Sequence, residues 1–357
     1  MTTPHSPLST PRILLTGKNG QVGFELQRSL AMLGEVFAVD RDDCDLANPD
    51  AIRDLVQRIR PDIIVNPAAH TAVDRAESEI ELATLLNTTA PQVFAEEAAK
   101  LGALLVHYST DYVFDGRKNG AYLEDDVTNP QSVYGKTKLA GEDAIRASGC
   151  RHLIFRTSWV FGAHGANFLK TMLRLMQQRD ALSVVADQIG APTSASLIAD
   201  VTAHAIRQVM RNGEWGVGSR DLDVGEAGSA MHLLPSAAIT MVGQSRLAGG
   251  EDVVENLLPT PQSQLPSLYG TYHLVASGET SWHGYASLVN DIAAQQGYTL
   301  KITSEAIKAI PASDYPVPAP RPANSRLSTQ KLQSTFGLVL PDWQVGVQQV
   351  MTLIKQP

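Results

Sequence analysis

Tyr134 and Lys138, in the run Tyr134-Gly135-Lys136-Thr137-Lys138, stand four residues apart, a spacing that places a phenol and an ammonium on one face of a helical turn. Upstream lies Ser109-Thr110-Asp111. A hydroxyl beside the Tyr/Lys pair completes a site for moving a proton on or off a carbonyl oxygen. A phenol is a poor acid–base group at neutral pH because its ordinary pKa is about 10. A cation held close favours the phenolate and lowers that value, which brings proton transfer near neutrality within reach. The same pattern also fits a solvated face on any helix, so its weight depends on what surrounds it.

The N-terminal region supplies that context. Arg12 to Thr16 reads as a short buried strand, ended by Gly17-Lys18-Asn19-Gly20-Gln21-Val22-Gly23. A helical apolar period follows through Val22, Leu26, Leu30 and Leu33. Gly17 permits the tight turn, Gly20 lets backbone approach a pyrophosphate, and Gly23 lets the helix pack on the strand; the phosphates then sit on exposed N–H groups of a helix N-terminus. A second strand, Glu35 to Asp40, ends in a carboxylate that can accept from a ribose 2′-OH, which favours NAD. Arg41 follows at once and can instead receive a 2′-phosphate. NADH and NADPH therefore both remain open.

The 357-residue length predicts one large domain plus a smaller lobe. A net charge of −8 argues against nucleic acid, which demands a basic face. Two cysteines, Cys44 and Cys150, are too few for a disulfide framework or a zinc site, and no His/Asp/Glu spacing indicates a metal. No apolar run reaches the roughly 18–20 residues needed to span a membrane. Residues 1–11 are polar and Pro/Ser/Thr-rich without an apolar h-region, so the expectation is a disordered leader and a cytoplasmic protein.

Strands and helices alternate through the first half. Further strands are expected at Asp62 to Asn66, Ala103 to Tyr108 and His152 to Arg156, with helices over Pro49 to Ile59, about Pro91 to Leu101, and from Val133 onward. Continuous apolar strands joined by helices predict an α/β fold, a doubly wound parallel sheet covered on both faces. Its ligand belongs beyond the carboxyl ends of the strands. The candidate residues converge there: the glycine turn, Asp40, the run Ala68-Ala69-His70-Thr71, and Ser109-Thr110. The expected boundaries are 12–165 for the dinucleotide-binding domain, receiving later segments at about 195–210 and 270–276. Residues 166–357 are then mainly a substrate lobe, with a Gly/Ser/Pro-rich insertion at about 211–268.

With these residues placed, the sequence resembles the dTDP-4-dehydrorhamnose reductase family of extended short-chain dehydrogenases/reductases. The resemblance rests on the glycine motif, Asn66 to Asp74, Ser109 to Gly116, Tyr134 to Glu142, Arg156 to Phe161, Asp187 to Thr193 and Arg321 to Leu327. It implies a Rossmann-type domain with a smaller C-terminal α+β substrate lobe, reducing the 4-keto group of a dTDP-sugar with NADPH or NADH. It puts Gly20, Gln21 and Val22 on the pyrophosphate, Asp40 on the adenosine ribose, Asp45 and Leu46 by the adenine, and Ala69, His70, Thr71 and Tyr108 along the cofactor. It makes Thr110 and Asp111 sugar contacts, Tyr134 the proton donor, Lys138 the holder of the nicotinamide ribose, and Trp159 a wall of the sugar pocket. Asn19 and Pro67 vary the motifs' flanks, and the insertion interrupts the likeness. A homodimer with magnesium at its interface is an option that the resemblance raises and no residue spacing decides.

Arg321 and Arg326 are candidates for the substrate diphosphate, because guanidinium forks match phosphate oxygens; a structural Arg pair is the plainer alternative. His70 fits either a cofactor contact or a strand-end histidine bonded to backbone, and His107 in its apolar strand reads as core. Sugar-nucleotide dehydratases and epimerases share the same N-terminal half; the dehydratases need an acidic pair after the catalytic Thr, where this chain has Asp111-Tyr112. Regulatory subunits of methionine adenosyltransferase resemble this family and bind without catalysing; the intact Thr110, Tyr134 and Lys138 favour an enzyme.

Overall fold

Every second residue of the early strands faces the opposite side of one sheet, and the core divides accordingly. Ile13 and Leu15, Ile63 and Val65, Leu104 and Val106, and Leu153 and Phe155 share one buried cluster, whereas Leu14, Ile64, Leu105 and Ile154 belong to another. Apolar side chains on both faces require helices on both faces, the arrangement of a buried parallel sheet.

The computed structural model describes residues 10–212 and 268–354. In chain order the elements are β1 (Arg12–Leu15), α1 (Gln21–Leu30), β2 (Glu35–Ala38), α2 (Pro49–Ile59), β3 (Ile63–Asn66), α3 (Val73–Ala76) and α4 (Ile80–Thr84). A π-helical turn, Leu85–Thr89, runs into α5 (Ala90–Leu101), β4 (Leu104–Thr110), a 3₁₀ turn (Asp111–Val113), α6 (Val133–Ala147) and β5 (Arg151–Thr157). Then come β6 (Val160–Phe161), α7 (Phe168–Gln178), β7 (Leu182–Val185), β8 (Ile189–Gly190), β9 (Thr193–Ser194) and α8 (Ala195–Arg211). After the break follow β10 (Gly270–His273), β11 (Thr280–Ser281), α9 (Trp282–Gln295), β12 (Ile307–Ile310), α10 (Gln330–Phe336) and α11 (Trp343–Leu353).

The main sheet has the order β2-β1-β3-β4-β5-β10, and every neighbouring pair is parallel. The chain leaves β1 for β2 on one side and returns to β3 on the other, so the strand order reverses at the carboxyl ends of β1 and β3. Ligands of open α/β sheets bind at such a switch point. Leucines and isoleucines of α1 and α8 cover one face, and α2, α5 and Ile145 of α6 cover the other. The fold class thus agrees with the sequence-based expectation of a Rossmann-type doubly wound sheet. A further core is built by α7, α9, α11, β7 and β12, with Met172, Met176, Tyr285, Val289 and Val347 at its centre.

Local chemistry sets the helix that carries Tyr134 and Lys138. The Ser132 side chain accepts from Gly135 N at 3.1 Å, an N-cap that fixes where α6 begins. A Cβ at Gly141 would stand 2.2 Å from the Asn87 carbonyl, so α6 approaches the π-helical turn as closely as backbone allows. The leader expected at 1–11 falls almost wholly outside the described residues, as does the insertion expected at 211–268.

Candidate active site

The glycine turn is shaped for an anion. Gly17 has φ +59°, and a Cβ there would lie 3.1 Å from the Ala68 Cβ. A Cβ at Gly23 would meet the Gly17 carbonyl oxygen at 2.0 Å, so α1 can lean against the turn only with glycine there. Helix α1 starts at Gln21 with no side-chain cap and no acidic residue in its first turn, leaving the N–H groups of its first turn to a ligand. These features fit the pyrophosphate of a dinucleotide. Val22 packs on the core, and the Gln21 carboxamide oxygen accepts from Asn167 Nδ2 at 3.0 Å.

Asp40 ends the β2 segment as expected, but its oxygens already have partners. Oδ1 accepts from the N–H groups of Asp42 (3.0 Å) and Asp43 (3.4 Å). Oδ2 accepts from Asn19 Nδ2 at 2.7 Å, with Lys18 Nζ 3.4 Å away. A ribose hydroxyl donating to Asp40 has to share its oxygens with these donors. Lys18 also bonds Asp43 at 2.6 Å, which holds the Asp43 carboxyl below its usual range. Asp45 accepts from Ala47 N at 3.0 Å, and Leu46 packs beside the α2 core, both in the loop after β2.

Beyond β3 the chain passes Ala69, His70 and Thr71. Asn87, in the π-helical turn, accepts from His70 N (2.8 Å) and donates to His70 O (3.1 Å) and Thr137 Oγ1 (3.1 Å). This buried amide ties the loop after β3 to α6, and nothing in its sequence context marks it. The His70 ring meets Glu79 Oε2 at 2.8 Å, while its Nδ1 is buried without a protein partner. His70 thus has a side-chain partner as well as its backbone bonds.

The Ser109-Thr110-Asp111 run closes β4 against α6. The Thr110 hydroxyl donates to Asp111 Oδ1 at 3.0 Å, accepts from Tyr112 N at 3.2 Å, and interacts with the Tyr134 phenol. Lys138, one turn along α6, donates to the Tyr108 carbonyl at 2.6 Å and meets His107 Nε2 at 3.1 Å. Tyr108 itself turns its phenol into the core, bonding Thr202 of α8 at 2.8 Å, so its backbone rather than its ring faces this cluster.

Electrostatically, one expectation is overturned. Tyr134 is not acidified: burial raises its pKa, Asp111 and Tyr112 add to the rise, and Thr110 opposes it. The Lys138 ammonium is held by Tyr108 and His107 and is itself lowered by burial to about 8. Desolvation therefore outweighs the favourable effect that the four-residue spacing suggested. Asp111 is raised to about 6, again chiefly by burial, against hydrogen bonds from Ser325 and Thr110. Its Oδ2 is buried and has no protein partner, as are Thr157 Oγ1 and Ser158 Oγ at the end of β5. Orphaned polar atoms around Tyr134 and Trp159 suit a hydroxyl-rich ligand.

Trp159 adopts φ +50°, an uncommon conformation for a bulky residue. Its ring stacks on Trp282 of α9, with centroids 3.7 Å apart and planes at 14°. A Cβ at Gly190 would approach Trp159 Cε2 to 2.8 Å, which gives the Asp187 to Thr193 run a physical reason. Neither arginine proposed for a diphosphate is free. Arg321 bonds Asp74 Oδ2 (2.6 Å) and the Tyr112 hydroxyl (3.2 Å), and Arg326 lies on Asn324 Oδ1 (2.8 Å) and near Glu279 (3.5 Å). Arg321 reaches the catalytic neighbourhood through Tyr112, whose ring packs edge-on to Tyr134 at 5.4 Å. Among the described residues no group of His, Cys, Asp and Glu could hold a metal ion, and no helix is long and apolar enough to cross a membrane.

The chain matches the family model described as the RmlD substrate binding domain over residues 11–219 and 249–355, a match interrupted within the expected insertion. It is 46% identical over 344 residues to the dTDP-4-dehydrorhamnose reductase of Salmonella typhimurium, covering 95% of this chain and 97% of that one. Among solved structures it is similar to the Clostridium acetobutylicum dTDP-4-dehydrorhamnose reductase, at 31% identity and a TM-score of 0.73, covering 96% of this chain and 99% of that one. It is also similar to the Bacillus anthracis enzyme of that name, solved in complex with NADP, at 29% identity and a TM-score of 0.74, with the same coverage. By this match and these likenesses, the chain belongs to the dTDP-4-dehydrorhamnose reductase family.

Proposed function

We infer that this chain reduces the 4-keto group of dTDP-4-dehydro-6-deoxy-L-mannose to give dTDP-L-rhamnose, the last step of dTDP-L-rhamnose synthesis. NADPH or NADH, held by the glycine turn and the N-terminus of α1, would supply the hydride for the carbonyl carbon. The carbonyl oxygen then gathers negative charge, and Tyr134 donates its phenolic proton to it. Tyr134 is protonated, as a proton donor must be, although burial makes it a weaker acid than a free phenol. The Thr110 hydroxyl, already beside the phenol, turns its one proton from Asp111 to the same oxygen and stabilises it by a hydrogen bond. Lys138 presents its remaining N–H to the cofactor ribose, Asp111 accepts from the sugar hydroxyls, and Trp159, braced by Trp282, walls the sugar.

The observation that carries this reading is the joining of Thr110 and Tyr134, with Lys138 one turn away, at the strand ends beside the glycine turn. The test adds the dTDP-4-keto sugar to the chain with NADPH, and separately NADH, and follows the reduced-nicotinamide absorbance. Substrate-dependent loss with either cofactor, and a rhamnosyl product by NMR, is the expected result. No loss with both cofactors sinks the reductase reading and leaves the non-catalytic binding role of the related regulatory subunits.

A further inference from the structure

Lys138 does not stand alone. It is 2% exposed, and its ammonium carries three donors and no acceptor. One donor goes to the Tyr108 carbonyl and one faces His107 Nε2. His107, 1% exposed on β4, turns its other ring nitrogen to the Asn66 amide at 3.3 Å. Asn66 and His107 are register partners across β3 and β4, so the pairing is fixed by the sheet. The far end of the Asn66 amide meets the Thr16 hydroxyl at 2.6 Å, one residue before the glycine turn. Four buried side chains thus run from α6 across β4 and β3 to the end of β1.

Counting protons along this chain couples its members. A neutral imidazole has one donor and one acceptor nitrogen. A charged Lys138 obliges Nε2 to accept, so Nδ1 carries the hydrogen and Asn66 must offer its oxygen to His107 and its nitrogen to Thr16. With the amide as the structure has it, its oxygen accepting from Thr16 Oγ1 and its nitrogen toward His107, Asn66 donates to Nδ1, Nε2 carries the hydrogen, and only a neutral Lys138 amine can receive it. The two arrangements differ by one proton on Lys138, one imidazole tautomer and one amide rotation.

We propose that His107 and Asn66 are positioning residues that set the charge state of Lys138, through an imidazole whose tautomer follows that charge. The proposal rests on the reading of Lys138 as the cation of the reductase site. Burial lowers Lys138 to about 8, and it holds His107 neutral by driving its pKa well below the ordinary value, with the Lys138 charge acting in the same direction. The other groups around Lys138 are Glu142 and Tyr134 on α6, the Tyr108 carbonyl on β4, and Arg156 on β5 against Glu142. Glu142 raises Lys138, but its carboxylate is bound by Arg156 at 2.9 and 2.7 Å and by Arg146 at 3.0 Å. Asp111, on the 3₁₀ turn, acts on the Tyr134 phenol. His107 is the side chain that touches the amine directly, with Asn66 behind it.

The test is a titration of the full chain labelled with ¹⁵N-histidine, read by NMR. The expected result is an Nδ1–H tautomer for His107 at low pH that passes to Nε2–H with a midpoint near 8, and loss of that inflection in Lys138→Met. This readout needs no turnover, so it stands whether or not the reductase reading holds. In the pH profile of kcat/KM, Asn66→Asp should move the alkaline limb up and His107→Leu should move it down, each by roughly one unit. His107→Gln, whose carboxamide reaches the Nε2 position, should restore it. A single His107 tautomer across the whole range, or a limb unmoved in Asn66→Asp and in folded His107→Leu, overturns the proposal and makes His107 a core residue only. Should His107→Leu fail to fold, the tautomer titration and Asn66→Asp still decide.

Discussion

At the scale of residues, the site joins a protonated phenol, a hydroxyl and a buried carboxyl within one short reach of the sheet edge. Tyr134→Phe removes the proton that the new alkoxide needs and leaves the ring packing on Tyr112 intact. Turnover should fall by about 10²–10⁴-fold, with cofactor affinity unchanged in a fluorescence titration. Near-wild-type turnover removes Tyr134 from the chemistry. Asp111 makes a different prediction. Its folded pKa of about 6 lies above the ordinary carboxylate value, so the native state holds the proton more tightly than the unfolded one. Stability is then greatest below the unfolded pKa and is lost as pH rises through about 6. Asp111→Asn keeps the shape of the neutral acid without the ionisation. It should raise the melting temperature clearly at pH 8 and little at pH 4, an effect on the order of 1–3 kcal/mol at the higher pH, while weakening sugar binding. Equal melting shifts at both pH values would show that the carboxyl is not held neutral by burial.

At the scale of elements, the decisive contact is that of α1 with the glycine turn. A methyl group at position 23 would collide with the Gly17 carbonyl, which is backbone and cannot swing aside. Gly23→Ala should therefore push α1 off the turn, weakening NADH and NADPH binding at least about tenfold and costing roughly 1–3 kcal/mol of stability. Unaltered affinity for both dinucleotides would mean that the α1 N-terminus is not their phosphate site. This element was legible in the sequence because the glycine spacing and the apolar period are local signals. The strands were legible for the same reason, and their alternation across two clusters follows from continuous apolar runs. What Lys138 does was not legible. Spacing placed it one turn from Tyr134, but the direction of its ammonium depends on β4, and on a register between β3 and β4 that only the folded sheet fixes. The partners of Arg321 and Arg326 were hidden likewise, because ion pairs between distant segments leave no periodic trace.

At the scale of the whole molecule, the last part of the chain returns to close the site that the first part opens. Ala319 N donates to Asp74 Oδ1 at 3.2 Å, and Arg321 bonds the same carboxylate. Asn324, 6% exposed, donates to the carbonyls of Lys118 and Gly120, both at 2.8 Å, and its N–H reaches the Gly116 carbonyl at 3.1 Å. Ser325 N bonds Ile189 O at 2.7 Å, and its side chain reaches Asp111. Tyr122 then pairs with this segment on both sides, donating to Arg326 O at 2.9 Å and accepting from Ser328 N at 2.8 Å. The segment therefore holds Asp111 and Tyr112 from outside the sheet. Asn324→Ala removes four side-chain hydrogen bonds in a buried setting, two donated to the carbonyls of Lys118 and Gly120 and two accepted from Arg326, and should cost about 1–3 kcal/mol. Its functional signature separates the two halves of the molecule: KM for the dTDP-sugar should rise several-fold, roughly in line with losing one well-placed contact, while the dissociation constant of NADPH stays put. A variant that loses cofactor and sugar affinity together would show that the returning segment supports the fold as a whole rather than the sugar side of the cleft.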